Sequence, residues 1–354
     1  MSAGEPLREE YVPVEFVDTT NLPEKEWLAW RRKGIGGSDA AAIMGISPFR
    51  TARDIYYDKL NIAPQENSEE NWVALKMGHL LEDLVAEIFS HKTGLEVFQI
   101  KRMFQHPLHK FMLADVDYFV SLPDGGTAIL EIKTTNYNAR SNWWEDAKEI
   151  VPPYYEAQGR HYMAVMNLDE VYFCCLYGNN EDEVIIRHIE RDRTYESELI
   201  FLEECFWREN VLAGNPPAYT EDGELIQQSL KRFSPPADRM AEAVSLSSSG
   251  KQRLEQYLAL QERKSAADKV SSTLEKEMKR LRALIVEEMG TSCTAYCEVG
   301  EGQFKISYNP VRRTEVKKEG LLRLQMLYPE AYQQCVSESE YRRFSVSKRE
   351  SDAA

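Results

Sequence analysis

Apolar positions along the chain follow two periods. Between 71 and 94, Trp72, Leu75, Leu80, Leu84, Val85, Ile88 and Phe89 recur close to helical spacing, and Gly94 ends the run; this predicts a long amphipathic helix. Downstream the pattern turns to strands, over 97–103, 111–121 and 127–134. The sequence Leu122-Pro123-Asp124-Gly125-Gly126 marks a turn that folds the last two strands into a hairpin. Helices are predicted over 24–33, 53–60, 154–166 and 194–213, and a short one within 34–45. There a glycine-rich turn precedes Ser38 and Asp39, both good capping residues, and then a run of alanines. Two more strands, 170–177 and 183–190, flank the turn at Gly178-Asn179-Asn180. The order of elements predicts an α+β fold with a central mixed sheet flanked by helices.

The character of the chain changes near Arg232. Segment 1–23, with scattered prolines and acids, reads as an arm, and 24–231 as the main domain. The Ser-Pro and Ser-rich stretch 232–250 reads as a linker, and 251–354 as a helical and mixed extension. Within the extension, 251–289 is a long helix. Val270, Leu274, Met278, Leu281 and Ile285 mark one face of it, a heptad-like pattern compatible with a helical hairpin or short coiled coil. A hairpin over 293–308 and a terminal helical region follow.

With 43% apolar residues the 354-residue chain can bury a substantial core, yet its net charge is −15. That sign opposes bulk attraction to nucleic acid. The charge is uneven: residues 250–354 carry 19 Lys and Arg against 16 Asp and Glu, which leaves −18 on the first 249. An acidic protein can still hold a polyanion in one basic channel, and carboxylates at a metal site count as negative until cations bind. The six cysteines, at 174, 175, 205, 293, 297 and 335, show no zinc spacing and read as free thiols of a reducing compartment. No signal peptide and no membrane-length apolar run is expected; the reading is a soluble, cytoplasmic protein.

One predicted strand carries groups that simple core packing does not call for. In Leu130-Glu131-Ile132-Lys133 the two charged side chains fall on the same strand face. Ile132 then faces the core and offers its backbone carbonyl. Asp117, on the neighbouring strand, can approach Glu131 through the hairpin turn. Two carboxylates and a carbonyl suit Mg²⁺, which prefers oxygen ligands, and a nearby lysine can orient or deprotonate water. Together they have the means to hydrolyse a phosphodiester. A lone Glu-x-Lys is more often a solvated strand face. The ordered set of a helix glutamate, a strand aspartate, Glu-x-Lys and a helix glutamine is far more specific.

Five stretches carry that order: GIGGSDAAAIMG (34–45), GHLLEDLVAEIF (78–89), LADVDYFV (113–120), ILEIKTT (129–135) and YYEAQGRHYM (154–163). Over 27–177 the chain resembles the YqaJ-type viral recombinases, which are similar to bacteriophage lambda exonuclease within the PD-(D/E)XK nuclease superfamily. The resemblance implies a restriction-endonuclease-like core. It also implies a Mg²⁺-dependent DNA exonuclease, with Mn²⁺ as a substitute and one or two ions per site. Such an enzyme degrades one strand of linear double-stranded DNA 5′ to 3′ and exposes a 3′ single strand for phage-type recombination.

By the same resemblance, Glu82, Asp117, Glu131 and the Ile132 carbonyl are expected at the metal, and Lys133 at the attacking water. Gln158 and Tyr155 are expected on a helix lining the site, and Arg31 and Ser38 at the terminal 5′-phosphate. Where the family often shows Pro-Asp, this chain has Val116-Asp117, with a second acid at Asp115 on what reads as the same strand face. The implied partners are double-stranded DNA ends, a single-strand annealing protein and further copies of the chain in a ring. The setting is the cytoplasm of a bacterial host carrying a phage or prophage. Other readings are a related endonuclease, a RecB-like repair nuclease, and a DNA-end-binding scaffold without catalysis. Trp143 and Trp144 could stack on a base, and Lys101-Arg102, Arg312-Arg313, Lys317-Lys318 and Arg342-Arg343 could meet phosphates; packing and solvated surface are the plainer readings.

Overall fold

The computed structural model describes residues 11–62, 72–235, 237–300, 302–312 and 317–336; Arg313, Arg342 and Arg343 lie outside the described residues. Two compact units divide the chain, Met1–Pro235 and Pro236–Ala354. The first unit begins with β1 (Val14–Asp18), α1 (Glu24–Arg31), β2 (Ile35–Gly36), α2 (Gly37–Ile43), α3 (Ala52–Lys59) and α4 (Trp72–Thr93). A run of strands follows: β3 (Glu96–Phe98), β4 (Arg102–Gln105), β5 (Met112–Asp115), β6 (Tyr118–Ser121) and β7 (Thr127–Thr134). After a 3-10 segment, Tyr137–Trp143, come the small hairpin β8 (Trp144–Glu145) and β9 (Lys148–Glu149), then α5 (Pro153–Met166), β10 (Glu170–Leu176) and β11 (Val184–Glu190). The unit closes with α6 (Arg193–Cys205), which runs on into a π-helical stretch, Phe206–Leu212, and α7 (Gly223–Phe233).

The main sheet has the order β11-β10-β7-β6-β3, with β7 and β10 parallel and the other pairs antiparallel. It is the mixed, helix-flanked sheet expected of a restriction-endonuclease-like core. Alternation along β7 separates two cores. Ala128, Leu130 and Ile132 pack with Val85, Ala86 and Phe89 of α4, whereas Ile129 packs with the α5 side, including Met163 and Val165. Glu131 and Lys133 therefore share the α5 face, as strand periodicity requires.

A second sheet has the order β1-β4-β5-β2. The segment expected as an arm thus contributes β1, an edge strand paired antiparallel with β4. The single strands expected over 97–103 and 111–121 are each divided. β3 and β6 pair in the main sheet, and β4 and β5 in the second. The β3–β4 and β5–β6 connections both cross between the sheets, and there the Gln99 side-chain amide donates to the Asp117 carbonyl at 3.3 Å. Hydrophobicity does not mark the crossing, because Val116 is buried like its strand neighbours. Helix α7, absent from the sequence expectations, is amphipathic, with Leu225, Ile226, Leu230 and Phe233 at helical spacing; Asp222 caps it and Leu225 is buried.

The second unit contains α8 (Ser248–Met289), the hairpin of β12 (Thr294–Val299) with β13 (Gly302–Ser307), α9 (Lys318–Leu327) and α10 (Pro329–Cys335). Val270, Leu274, Met278, Leu281 and Ile285 of α8 are all exposed. Among the described residues, no helix is long and apolar enough to cross a membrane.

Candidate active site

The break between β5 and β6 builds the site. β6 begins at Tyr118, opposite Leu130 of β7, so β7 runs on past the start of its neighbour. The Asp117 side chain takes the missing strand's place: its Oδ2 accepts from the Ile132 backbone N–H at 2.9 Å. Asp115, expected on the same strand face as Asp117, is turned elsewhere because the strand ends between them. It accepts from the Trp27 indole N–H at 2.5 Å.

Glu131 is 2% exposed. Its Oε1 accepts from Lys133 Nζ and from the Gln158 amide, the latter at 2.5 Å. Lys133 Nζ also donates to Gln158 Oε1, at 3.1 Å. Gln158 thus locks a triangle with Glu131 and Lys133, using its amide N–H on the carboxylate and its carbonyl on the ammonium. Glu131 Oε2 is buried without a hydrogen-bond partner. Such an atom is costly unless something cationic or protic meets it.

The electrostatics point the same way. Burial, then the Glu131 charge, push the Asp117 carboxyl well above the usual range, against the opposing pull of Lys133. Burial also raises Glu131, with Glu82 adding to it. For Lys133, burial would lower the ammonium, but the Glu131 and Asp117 carboxylates outweigh it and raise its pKa. Two buried acids with one buried ammonium lack positive charge. That deficit, and the orphaned Oε2, fit a divalent cation held by Asp117, Glu131 and the Ile132 carbonyl. Among the described residues, no three His, Cys, Asp or Glu side chains form a ready-made cage. Mg²⁺ tolerates this, because it usually keeps several waters and takes one or two carboxylates.

Glu82 lies on α4, across the sheet, half-buried and paired with His79 Nδ1 at 3.0 Å. Its charge adds to the upward push on both Asp117 and Glu131. Gly78, one turn earlier, lies close to the end of β7: a Cβ there would sit 3.6 Å from Thr134 Oγ1.

Tyr155, chosen from the sequence, does reach the triangle: Lys133 Nζ lies 5.0 Å from its ring centroid. Burial pushes its hydroxyl up to about 12. Tyr162, which the sequence reading passed over, sits four residues beyond Gln158 and receives its amide N–H at 3.4 Å. Tyr162 also links the site to the glycine-rich turn. A Cβ on Gly37 would fall 2.6 Å from the Tyr162 ring, so only glycine fits there.

Beyond Tyr162 lies a second polar cluster. Arg31 donates to Ser38 Oγ and, at 3.2 Å, to Asp39 Oδ1. Asp39 Oδ2 accepts from Lys59 Nζ at 2.6 Å and from the Gly36 N–H at 3.1 Å. Burial would raise Asp39, but the Lys59 and Arg31 cations override it and hold its carboxyl well below the usual range. Ser38, expected as a helix cap, is an exposed residue inside the first turn of α2. Gly36 is the N-cap, and Asp39, at the third helical position, accepts from the Gly36 backbone N–H. The buried Asp39 and Lys59 hold Arg31 in place; in the sequence Asp39 reads only as a helix cap, and Lys59, at the end of α3, as an ordinary surface lysine. The buried pair His161 and Glu203 was also missed. Its 2.8 Å contact joins α5 to α6, and His161 Nε2 lies 2.9 Å from the Leu113 carbonyl.

Trp143 is a core residue, 1% exposed, and Trp144 is partly exposed over Arg187.

The model of the YqaJ-like viral recombinase domain matches residues 26–169. The uncharacterized protein YqaJ of Bacillus subtilis (strain 168) is 31% identical over 334 residues, which cover 93% of this chain and 96% of that protein. The chain belongs to the YqaJ-like viral recombinase family. Among solved structures it is similar to LHK-Exo, an alkaline exonuclease from Laribacter hongkongensis. That match has 20% identity and a TM-score of 0.42, and covers 58% of this chain and 98% of that one. It is also similar to a phage related exonuclease from Haemophilus somnus 129PT, at 12% identity and a TM-score of 0.39, over 51% of this chain and 96% of that one. The YqaJ-like match contains both clusters and Tyr162 between them.

Proposed function

We propose that the chain is a metal-dependent DNA exonuclease. It digests one strand of linear double-stranded DNA 5′ to 3′ and leaves a 3′ single strand for an annealing protein. The observation that carries this reading is Glu131, whose buried Oε2 is left open while Lys133 and Gln158 fix Oε1.

One or two Mg²⁺ ions, or Mn²⁺ in their stead, would be held by Asp117, Glu131 and the Ile132 carbonyl, with Glu82 at the rim. When bound, the metal supplies Lewis acidity, charge neutralisation on phosphate oxygens and a more acidic water. The chain's own groups do the rest. The raised Lys133 stays protonated, so its Nζ acts as a fixed charged donor that orients water or steadies a phosphate oxygen, rather than as a base. Gln158 keeps Lys133 and Glu131 in register. Tyr155 screens the ammonium from bulk water with its ring.

Arg31 and Ser38 support recognition of a 5′ end. The Ser38 hydroxyl is exposed, and Asp39 with Lys59 fixes the root of Arg31 behind it. A terminal phosphate suits an arginine fork beside a hydroxyl. In this reading 24–231 carry the nuclease, and β1 from the preceding segment completes its second sheet. Past the linker 232–250, residues 251–354 contact DNA, the annealing partner or other copies in a ring, as their basic balance and the exposed apolar face of α8 suggest.

The test uses linear duplex DNA labelled at the 5′ or the 3′ end, beside a closed circle, with Mg²⁺ or EDTA. Loss of label from 5′ ends only, with metal and not on circles, is expected. Cutting of circles would make it an endonuclease. Binding of ends without cleavage in Mg²⁺ or Mn²⁺ would make it a scaffold.

A further inference from the structure

On the far side of α5 from Gln158, a surface cavity of about 320 Å³ opens between α5, β11 and the β8–β9 hairpin. Its volume is near the lower end for small-ligand sites, roughly 300–1,000 Å³. Arg187 lines it, together with Glu145, Glu149, Val151, Pro153 and Glu156. The Arg187 side chain is 12% exposed, and both Nε and Nη2 are buried without a hydrogen-bond partner. Its Nη1 alone is engaged, by the Ile186 carbonyl at 2.9 Å and Glu149 at 3.3 Å. The guanidinium lies over the Trp144 ring, 4.9 Å from its centroid, which fixes its plane. The hairpin holding Trp144 turns through Asp146 and Ala147, both at positive φ, as a tight two-residue turn requires.

A guanidinium edge with two unpartnered N–H groups asks for a planar acceptor pair, which the side chains covering both atoms must part to admit. A carboxylate or phosphate would offer one, but Glu145, Glu149 and Glu156 around the cavity repel an anion seated directly on the guanidinium, while a charged group can still lie outside the cavity mouth. A neutral group with two acceptors on one edge and donors on the next meets both demands. Guanine is such a group: O6 and N7 accept from arginine, and the adjacent N1–H and N2–H₂ donate to a carboxylate such as Glu149, already beside Arg187. The sheet ties this cavity to the catalytic cluster. Arg187 pairs with Phe173 on β10, and Phe173 with Glu131 on β7. Two strand spacings separate them, about 10 Å.

We propose that this cavity is a guanine-binding subsite, in which Arg187 reads O6 and N7, Glu149 reads N1 and N2, and Trp144 holds the arginine plane. It deepens the nuclease reading, on which its DNA origin rests. The guanine comes from a DNA strand or from released dGMP.

The test titrates the full chain, in EDTA, with dGMP, 7-deaza-dGMP, dAMP and inorganic phosphate, and follows tryptophan fluorescence. Oligothymidylate with and without one guanine separates a strand from a free nucleotide. dGMP should bind at least about tenfold more tightly than dAMP or 7-deaza-dGMP, which lacks the N7 acceptor. R187M should weaken dGMP binding by a similar factor and W144F should remove the signal, whereas E131Q should leave binding unchanged. R187K keeps the charge without the fork, so a folded R187K should also lose guanine preference. Equal binding of dGMP and 7-deaza-dGMP, equal binding of phosphate alone, loss of binding in E131Q, or no binding at all would each overturn the subsite. Guanine binding by a chain that cleaves no DNA would leave the subsite standing and sink the nuclease reading instead.

Discussion

Replacing Gln158 with leucine isolates what the triangle contributes. Gln158 is 7% exposed, and leucine is apolar and of comparable size, though branched one carbon nearer the backbone, so most of the packing is kept. Two hydrogen bonds to charged groups disappear, one to Glu131 at 2.5 Å and one from Lys133 at 3.1 Å. A bond of this kind contributes about 1.5–3 kcal/mol. Lys133 keeps its direct bond to Glu131, so roughly one such bond's worth of positioning is lost from the reacting arrangement, not two. That corresponds to about a 10- to 150-fold fall in turnover. The fall should appear in kcat at saturating metal and DNA, because Gln158 touches neither the open Oε2 nor the Arg31 cluster. Single-turnover digestion of linear duplex measures it, with thermal unfolding by circular dichroism as the control for folding. A Q158L protein that folds like the parent and turns over within threefold of it would refute the role given to this residue.

Metal affinity should rise with pH. Asp117 and Glu131 are both raised, so the metal-free site holds protons above the ordinary carboxylate range, and a cation must displace them. Calorimetric titration of Mg²⁺ in two buffers of different ionisation enthalpy should show proton release that shrinks as pH climbs through the raised values; a pH-independent affinity without proton release would contradict it. The substitution Gly37→Ala places a methyl 2.6 Å from the Tyr162 ring. It should destabilise by about 1–3 kcal/mol and reduce turnover by moving Tyr162 off Gln158; unchanged denaturant unfolding would show that the turn has more room than this packing allows.

Much of the site was legible because its chemistry is local in sequence. Glu131 and Lys133 are two residues apart on a strand whose alternation the apolar residues declare, and β7 was placed at its observed bounds. Gln158 follows on a helix with clear limits. What was not legible depends on tertiary placement. Nothing in Ala114-Asp115-Val116-Asp117 marks where the chain leaves one sheet for another, so Asp115 and Asp117 looked equivalent until their partners separated them. Tyr155 and Tyr162 both flank Gln158 at helical spacing, and only their tertiary contacts distinguish them: Tyr155 lies against Lys133, whereas Tyr162 accepts from Gln158 and packs on Gly37. Asp39 and Lys59 are twenty residues apart and reveal themselves only through a shared buried contact. Arg187 reads as an ordinary strand arginine until its unpartnered N–H groups are seen.

The central claim is that Asp117, Glu131 and Lys133 form one metal-dependent phosphodiesterase site. Its most direct test is nucleotide release from linear duplex DNA by the parent chain, E131Q and K133M, each with Mg²⁺ and with EDTA. The account predicts release by the parent only with metal, and a loss of about a hundred- to a thousandfold in both variants, as expected when a transition-state group is removed. Release that survives in E131Q, or that continues in EDTA, would contradict it.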